Sequence, residues 1–325
     1  MRNRQFDRDR PRQPALPKPY GFVSLPDGRP QLSQPTGHER YHKDRYTGTI
    51  TGTLIAHSDI HVASGLLERR TQDRKHPLVK AHMRSNGRPV IPATSLKGCF
   101  RAIVEAISPS AVHVTKANLA GQDASFKRQS NIKAIDPSAR LFGAQGYLGS
   151  VAFGDAVLEE GETTVTTTPQ LYSPRPDAYG AYYDGGRIKG RKFYQHGKRA
   201  ERSVPLEVCR SKSRFSLTIY FENLTNGELG LLLIALGIAE PRFCPKLGGG
   251  KPACLGTLEV HNLRLQLLHV KESYADFDSQ AQASNIEAFL AASREENLVL
   301  SKQLEKLATL LRWPNEEREC PDRMY

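Results

Sequence analysis

The segment between residues 185 and 202 combines cations with aromatic side chains at close spacing. Seven lysines and arginines stand there against one acid, and phenylalanine, tyrosine and histidine alternate with them. Cations neutralise phosphates and aromatic faces stack on unpaired bases, which is the chemistry of single-stranded RNA recognition. A basic surface loop with locally packed tyrosines is the alternative. The candidate RNA-binding residues are Arg187, Lys189, Arg191, Lys192, Tyr194 and His196.

A predicted helix carries a second set of candidates. Apolar residues between positions 96 and 107 recur with the 3.6-residue period of one helix face, and Thr94 or Ser95 can cap its start. The free N–H groups and the dipole at a helix N-terminus favour a phosphate. Ser95, Lys97 and Arg101 lie in the first turns, so we predict that they contact an RNA backbone.

The loop from residue 245 to 251 is rich in glycine and lysine. Glycines let a backbone approach a phosphate closely, and lysines add positive charge. The loop lacks the GK[ST] step and the following helix of a Walker loop, and a plain hairpin turn is the alternative. The candidate RNA-binding residues here are Lys246, Gly248, Gly249, Gly250 and Lys251.

Candidate catalytic groups lie in a polar stretch, residues 65–87, which is predicted to be a long loop. It contains Asp73, His76 and His82. A carboxylate such as Asp73 could hold a divalent cation near a scissile phosphate, whereas a histidine could act as a general base without metal. An aspartate in an arginine-rich loop can equally be a solvated charge partner.

Composition narrows the classes of partner. The net charge of +12 and the pI of about 9.5 favour a polyanion, either nucleic acid or a membrane surface. No apolar run is long enough to span a bilayer and no secretory signal is visible, so we expect a cytoplasmic protein without membrane contact. The five cysteines form no CxxC pair. We therefore expect buried thiols and no structural zinc.

The elements that must position these residues alternate between strands and helices. Thr225 and Glu228 form a capping box at the start of the second helix. The order strand, helix, strand, strand, helix, strand is that of a ferredoxin-like (RRM-like) α+β fold, whose sheet can bind RNA. Strands are predicted at 49–56, 151–158, 215–221 and 258–267, and helices at 96–107 and 225–238.

The chain divides into three predicted parts. Residues 1–45 form a flexible basic arm, rich in arginine and proline. Residues 46–270 form the α+β domain, with a large basic insert at about 159–213. Residues 271–325 form an acidic, helical C-terminal extension, which packs either on its own domain or on a neighbouring subunit.

Four segments resemble, in order, the motifs of the CRISPR-associated RAMP superfamily. Residues 91–101, IPATSLKGCFR, resemble its I-P-G-S-S-L-K-G-x-x-R signature. Residues 141–156 are similar to its L-F-G and G-x-V-x-F-x-D-A element, and residues 246–256 to its glycine-rich loop. Residues 60–65 resemble its L-H-I-G-S-G strand end. The resemblance covers roughly residues 48–268.

The resemblance implies a backbone subunit of a type III interference complex, III-D-like systems included. Such subunits stack along a guide RNA, bind target RNA and assemble with a large polymerase-like subunit and other RAMP proteins. It implies that Ser95, Lys97, Arg101 and residues 248–251 contact the guide backbone. It also implies a thumb hairpin that displaces a base, drawn from residues 66–87 or from the insert.

The resemblance further implies an endoribonuclease that cleaves target RNA with Mg²⁺ or Mn²⁺ held by an aspartate. The aligned position is Lys75, so Asp73 is the candidate catalytic and metal-binding residue at a shifted register. One alternative is a scaffold subunit without catalysis. Another is a metal-independent, guide-processing endoribonuclease that uses His61 or His196.

Overall fold

The computed structural model of the protein describes residues 18–71, 74–112, 132–171, 179–268, 282–283, 285–315 and 317–322. The strands are β1 (Tyr20–Val23), β2 (Tyr46–Ala56), β3 (Ala63–Arg69), β4 (Leu78–His82), β5 (Arg84–Ser85), β6 (Arg88–Ile91), β7 (Val151–Phe153), β8 (Ala156–Glu160), β9 (Thr163–Thr168), β10 (Tyr183–Asp184), β11 (Arg187–Ile188), β12 (Arg191–Tyr194), β13 (Val204–Cys209), β14 (Arg214–Leu224), β15 (Leu258–Leu267) and β16 (Gln282–Ala283). The helices are α1 (Ala93–Ile107), α2 (Pro137–Phe142), α3 (Tyr179–Tyr182), α4 (Asn226–Ala235), α5 (Ile286–Glu295) and α6 (Ser301–Leu310).

A large antiparallel sheet forms the centre of the molecule, with the order β16-β15-β2-β14-β8-β6-β5. Its strand β14 buries alternate residues, as the period of two in its sequence predicts. The α+β class is therefore confirmed. The single strand predicted at 151–158 is wrong, because Gly154 and Asp155 break it into β7 and β8, which both pair with β14.

Helices α1 and α4 connect strands of this sheet. Helix α1 buries the apolar face predicted for it, from Leu96 to Ile107. Helix α4 begins at the predicted capping box, since Thr225 accepts from the Glu228 N–H and Glu228 accepts from the Thr225 N–H. In the sheet, β15, β2, β14 and β8 are consecutive neighbours, with α1 following β2 along the chain and α4 following β14.

A second sheet, of four strands, has the order β3-β4-β13-β9. The prediction of a long loop at residues 65–87 is wrong, because most of this stretch forms the hairpin of β3 and β4 and the short strands that follow. The hydrophobic residues Leu66, Leu67 and Leu78 of the hairpin are exposed. Two strands of the predicted insert, β9 and β13, complete this sheet and therefore belong to the folded body.

The described parts of both termini belong to the same body. Strand β1, inside the predicted flexible arm, pairs with β12 and buries Val23 completely. That stretch is therefore ordered, contrary to the prediction, while residues 1–17 lie outside the described residues. Helices α5 and α6 lie in the predicted C-terminal extension, and their residues Phe289, Leu304 and Leu307 join the main hydrophobic core. The extension thus packs on its own domain.

The C-terminal segment is also joined to the body covalently. The sulfur atoms of Cys254 and Cys320 form a disulfide, with Cα atoms 5.9 Å apart. The expectation that all five cysteines are thiols is therefore wrong, and Cys99, Cys209 and Cys244 remain free. Among the described helices, none is both long and apolar enough to cross a membrane.

Candidate nucleic-acid interface

A cleft of about 500 Å³ lies between α1, the glycine loop and β12, and its wall also includes Leu311, just after α6. The cleft brings together candidates from three segments that are far apart in sequence. A surface that combines cations, a hydroxyl, an aromatic ring and glycine backbone has the chemistry that RNA binding requires. The predicted RNA-binding residues that line it are Ser95, Lys192, Tyr194, Lys246, Gly248, Gly249 and Lys251.

The glycine loop is held in a defined conformation. The Gly249 N–H donates to the His61 carbonyl oxygen at 2.7 Å, and the Leu247 N–H donates to the Gly256 carbonyl at 2.8 Å. Gly248 has φ of +93°, and a Cβ there would overlap the His61 carbonyl oxygen. Only glycine fits this position without strain. The loop therefore presents a fixed backbone to the cleft.

The last lysine of the loop, Lys251, bends back over the glycines. Its ammonium donates to the Gly248 carbonyl at 2.8 Å, which leaves further donor capacity on the ammonium. Gly250, with φ of +69°, precedes the short 3-10 turn that begins at Lys251. The positive charge is thus fixed beside the loop backbone, at the wall of the cleft.

The start of α1 differs from the prediction. The helix begins after Pro92, and neither Thr94 nor Ser95 caps it. Instead the Asp155 carboxylate accepts a hydrogen bond from the Ala93 N–H at 2.7 Å. A carboxylate of the protein itself therefore occupies the helix N-terminus at which a phosphate was predicted, and it complements the positive end of the dipole. Ser95 contributes to the cleft as a side chain of the helix.

The other two candidates of α1 lie elsewhere. Lys97 lines a second cleft, together with Ser150 of the segment before β7 and the exposed Tyr220 of β14. Burial, and then the nearby Arg101, lowers the pKa of Lys97. Arg101 donates from Nε to the Glu105 carboxylate at 2.9 Å. Ser95 and Lys97 thus line different clefts, and Arg101 is paired with a glutamate of its own helix.

Arg191, one of the predicted RNA contacts, is held in an ion pair within the fold. Its guanidinium pairs with Glu105, a carboxylate that is only 1% exposed, and its own side chain is 16% exposed. Burial, and then the charge of Arg101, lowers the pKa of Arg191 to about 10. A buried carboxylate requires paired cations, so Arg101 and Arg191 stabilise the fold at this point.

Lys192 occupies a cage of three tyrosines. Its ammonium lies 4.6, 4.8 and 5.3 Å from the ring centroids of Tyr20, Tyr194 and Tyr182 and donates to the Tyr194 hydroxyl at 3.1 Å. These distances are within the range of cation–π attraction. Local packing of the tyrosines, the alternative considered for this segment, is thus observed, and it fixes a positive charge at the cleft.

His196 and Lys246, also predicted as RNA contacts, are both buried. The ring of His196 is fully buried, with Nε2 against the Cys244 carbonyl at 2.9 Å and Nδ1 against the Thr257 hydroxyl at 2.8 Å. The Lys246 ammonium is buried 3.4 Å from the same Nδ1. Burial, and then Arg318 and Lys251, lowers the pKa of Lys246 to about 7, so its side chain is a poor phosphate ligand.

The sequence of the chain was compared with models of known protein families. The model of the RAMP superfamily matches residues 53–259, which include α1, β12 and the glycine loop. The chain belongs to the RAMP superfamily. A search of curated proteins finds no match to it. Membership supports an RNA-binding, CRISPR-associated role, and the cleft of this RAMP protein has the residue types for it.

The remaining candidates of the RAMP protein either do not line the cleft or lie in the part of the chain that the structure does not describe. Arg187 and Lys189 are exposed near the small β10–β11 hairpin, and the Lys189 ammonium donates to the Gly180 carbonyl at 2.9 Å. Asp73, the candidate catalytic and metal-binding residue, lies outside the described residues. His61 is buried, and its Nδ1 lies 2.6 Å from the Glu207 carbonyl oxygen.

Sequence reasoning missed two residues that build this site. Tyr20, in the predicted arm, completes the cage around Lys192. Burial, and then Tyr182 and Tyr194, raises the pKa of Tyr20 to about 12. Asp155 fixes the start of α1 from another element. Asp155 could have been found, because it belongs to the recognised Phe-Gly-Asp-Ala motif, whereas no pattern in the sequence links Tyr20 to β12.

Proposed function

We propose that this RAMP protein is a guide-RNA-binding backbone subunit of a type III CRISPR ribonucleoprotein complex, and that the cleft holds the RNA backbone. The single observation that carries the proposal is the meeting of Ser95, the glycine loop and β12 at one cleft. In this proposal the subunit works with guide RNA, target RNA, other RAMP proteins and a large polymerase-like subunit.

The topology supports an RNA platform of the ferredoxin-like, RRM-like kind. The strands β15, β2, β14 and β8 are neighbours in that order, which corresponds to fourth, first, third and second along the chain. Helix α4 directly follows the third of these strands, and α1 follows the first after the intervening strands β3 to β6. A split βαβ arrangement has this order, and its sheet and adjoining loops are used by many RNA-binding proteins.

The cleft suits a phosphate backbone better than a base sequence. Lys251 and Lys192 provide fixed positive charges, and the glycine loop provides close backbone approach. Backbone contacts position a nucleic acid without reading its sequence, and in guided systems base pairing supplies the sequence specificity. We therefore expect binding of single-stranded RNA with weak sequence preference and strong dependence on salt concentration.

The test is fluorescence anisotropy of labelled single-stranded RNA with the full-length protein and with Lys251→Ala. We expect about tenfold weaker binding at low salt, and a salt slope that is shallower by about 0.7 for each phosphate that the variant no longer neutralises. The matched control is Lys302→Ala, since Lys302 is an exposed lysine of α6. Equal affinity and equal salt slope for wild type and Lys251→Ala would contradict the proposed role of the cleft.

Target cleavage through Asp73 and a divalent Mg²⁺ or Mn²⁺ stays a prediction from the sequence. Its test is Asp73→Asn in the assembled complex, with Asp184→Asn, an exposed aspartate, as control. We expect one specific target cut to disappear in Asp73→Asn and, for wild type, in chelator. An unchanged cleavage ladder would instead support the scaffold without catalysis.

The alternative of a metal-independent, guide-processing nuclease receives no support from the histidines named for it. His61 is 4% exposed and His196 is fully buried, and each has a ring nitrogen hydrogen-bonded to a backbone carbonyl. Burial first lowers the pKa of both, that of His196 to about 3. A general base must reach the proton that it removes, and neither ring reaches the surface.

A further inference from the structure

Three side chains of the metal-ligating kind meet at a place outside the lining of the RNA cleft. They are His57, directly after β2, Cys244, directly before the glycine loop, and Glu259 of β15. One potential ligand atom from each lies within 4.8 Å of the others. These residues are remote in sequence, and the pairing of β2 with β15 brings two of them together.

We propose that His57, Cys244 and Glu259 bind a divalent transition-metal ion of the zinc class. Thiolate, imidazole and carboxylate are donors that zinc accepts together, whereas magnesium and calcium prefer oxygen ligands alone. Zinc lies about 2.0–2.3 Å from each such donor, so neighbouring donor atoms in a tetrahedral site are roughly 3.5 Å apart. The three potential ligand atoms lie within 4.8 Å of one another, so they would have to move by about 1 Å to reach the tetrahedral spacing.

The present contacts show how the site would change when an ion binds. His57 Nε2 lies 2.5 Å from Glu259 Oε2, a hydrogen bond that an ion between the two groups would replace. His261 Nε2 lies 2.9 Å from the same oxygen and would orient the carboxylate from outside, as second partners of metal ligands do. The two imidazole contacts alone would account for the position of the Glu259 carboxylate, without an ion. The thiol of Cys244 in the same group points to a metal.

The surroundings favour a closed but reachable site. Cys244 is buried and its N–H donates to the Leu311 carbonyl at 3.1 Å, while the His57 ring stacks on Trp313 with centroids 5.7 Å apart. The side chains of His57 and Glu259 are about one-third exposed, so an ion can enter from solvent. Three protein ligands leave the fourth tetrahedral position for water.

The proposal opposes the expectation from the sequence that no structural zinc is bound. That expectation rested on ligand spacing, and the spacing rule finds only sites whose ligands come in close pairs. Here one ligand follows β2, one precedes the glycine loop, and one lies within β15. The ion would join the start of the glycine loop to the end of the paired strands β2 and β15, so it would act as a structural anchor.

The experiment uses the full-length protein, stripped with chelator, kept under inert gas without reductant so that the Cys254–Cys320 disulfide stays intact, and titrated with Zn²⁺ or Co²⁺. Elemental analysis after gel filtration should give about one Zn²⁺ per chain. Bound Co²⁺ should show the near-ultraviolet charge-transfer band of a thiolate ligand, and Cys244→Ser should remove that band. Cys209→Ser, which changes another buried free cysteine, should leave both readouts unchanged.

His57→Gln provides a second variant and should weaken Zn²⁺ binding at least tenfold while the thiolate band persists at high Co²⁺. Circular dichroism establishes that each variant is folded. If Cys244→Ser does not fold, the Co²⁺ band of the wild type and the Zn²⁺ affinity of His57→Gln test the proposed site. Absence of the band in wild type, or substoichiometric zinc, overturns the site. RNA affinity is a separate readout, so the failure of this proposal and that of the proposed RNA function are distinguishable.

Discussion

Glu207 is a buried carboxylate in β13 that receives hydrogen bonds from three directions. The Arg84 and Arg70 guanidinium groups donate to Oε1 at 2.6 and 2.9 Å, and the His82 N–H donates to Oε2 at 3.0 Å. These contacts join β13 to β4 and to the segments on either side of β4. The perturbation that tests their energy is Glu207→Gln, which removes the charge and keeps the shape.

The expected loss is about 3 kcal/mol at neutral pH, built from two contributions. The glutamine amide would face the buried His82 N–H, and a buried donor left without a partner costs about 1–3 kcal/mol. The two arginines lose their charged partner, but both are one-third exposed, so solvent screening reduces this part to about 0.5 kcal/mol each.

The pH dependence has a definite sign. Burial opposes ionisation of Glu207, but the His82 N–H, Arg84 and Arg70 outweigh it and hold the pKa of the folded protein below its ordinary value. The stabilisation is therefore fully present above the pKa of the unfolded chain, about 4.3, and is lost as the pH falls through the lower pKa of the folded state. The gap between wild type and Glu207→Gln should shrink in acid.

The assay is urea unfolding followed by the fluorescence of Trp313, the one tryptophan of the chain, between pH 3 and 7. Glu162→Gln is the control, because Glu162 pairs with Arg210 at 3.2 Å on the exposed surface next to the same sheet, and its loss should stay within about 0.5 kcal/mol. The reasoning is refuted if Glu207→Gln costs no more than this control, or if its cost is independent of pH.

Two further predictions concern the glycine loop and the C-terminal helices. Gly248→Ala should destabilise the protein by about 1–3 kcal/mol and weaken RNA binding, because its Cβ would overlap the His61 carbonyl; thermal unfolding and anisotropy measure the two effects. Leu307→Ala should cost about 2–5 kcal/mol in urea unfolding, since Leu307 is fully buried in the main core, whereas the exposed Glu305→Ala should be nearly neutral. Equal stability of the two α6 variants would contradict the shared core.

Local patterns in the sequence were sufficient for the central elements. The alternation in β14, the apolar face of α1 and the capping box at Thr225 each depend on residues a few positions apart, and each is confirmed. Prediction failed where tertiary contacts decide the structure. Residues 65–87 contain strands because β4 pairs with β3 on one side and with β13 on the other, and the sequence pattern predicted neither pairing.

For the candidate site, the sequence showed which residue types were present but not which of them were buried. The sequence identified cations near β12, but it could not show that Glu105 lies behind Arg191 or that His196 lies in the interior. Charge is visible in a sequence, whereas burial depends on the whole fold. The glycine loop singled out from its sequence does line the cleft, and glycine is required at Gly248 by the close approach to the His61 carbonyl.

The cleft can be completed only late in the synthesis of the chain. Its wall and the cage beside it use Tyr20 from the first described strand, Lys192 from β12, the glycine loop and Leu311. A ribosome releases these segments at widely separated times, and contacts between distant segments form late in folding. If the cleft binds RNA as proposed, binding therefore requires a chain synthesised past residue 311, and unfinished chains would not compete for that RNA.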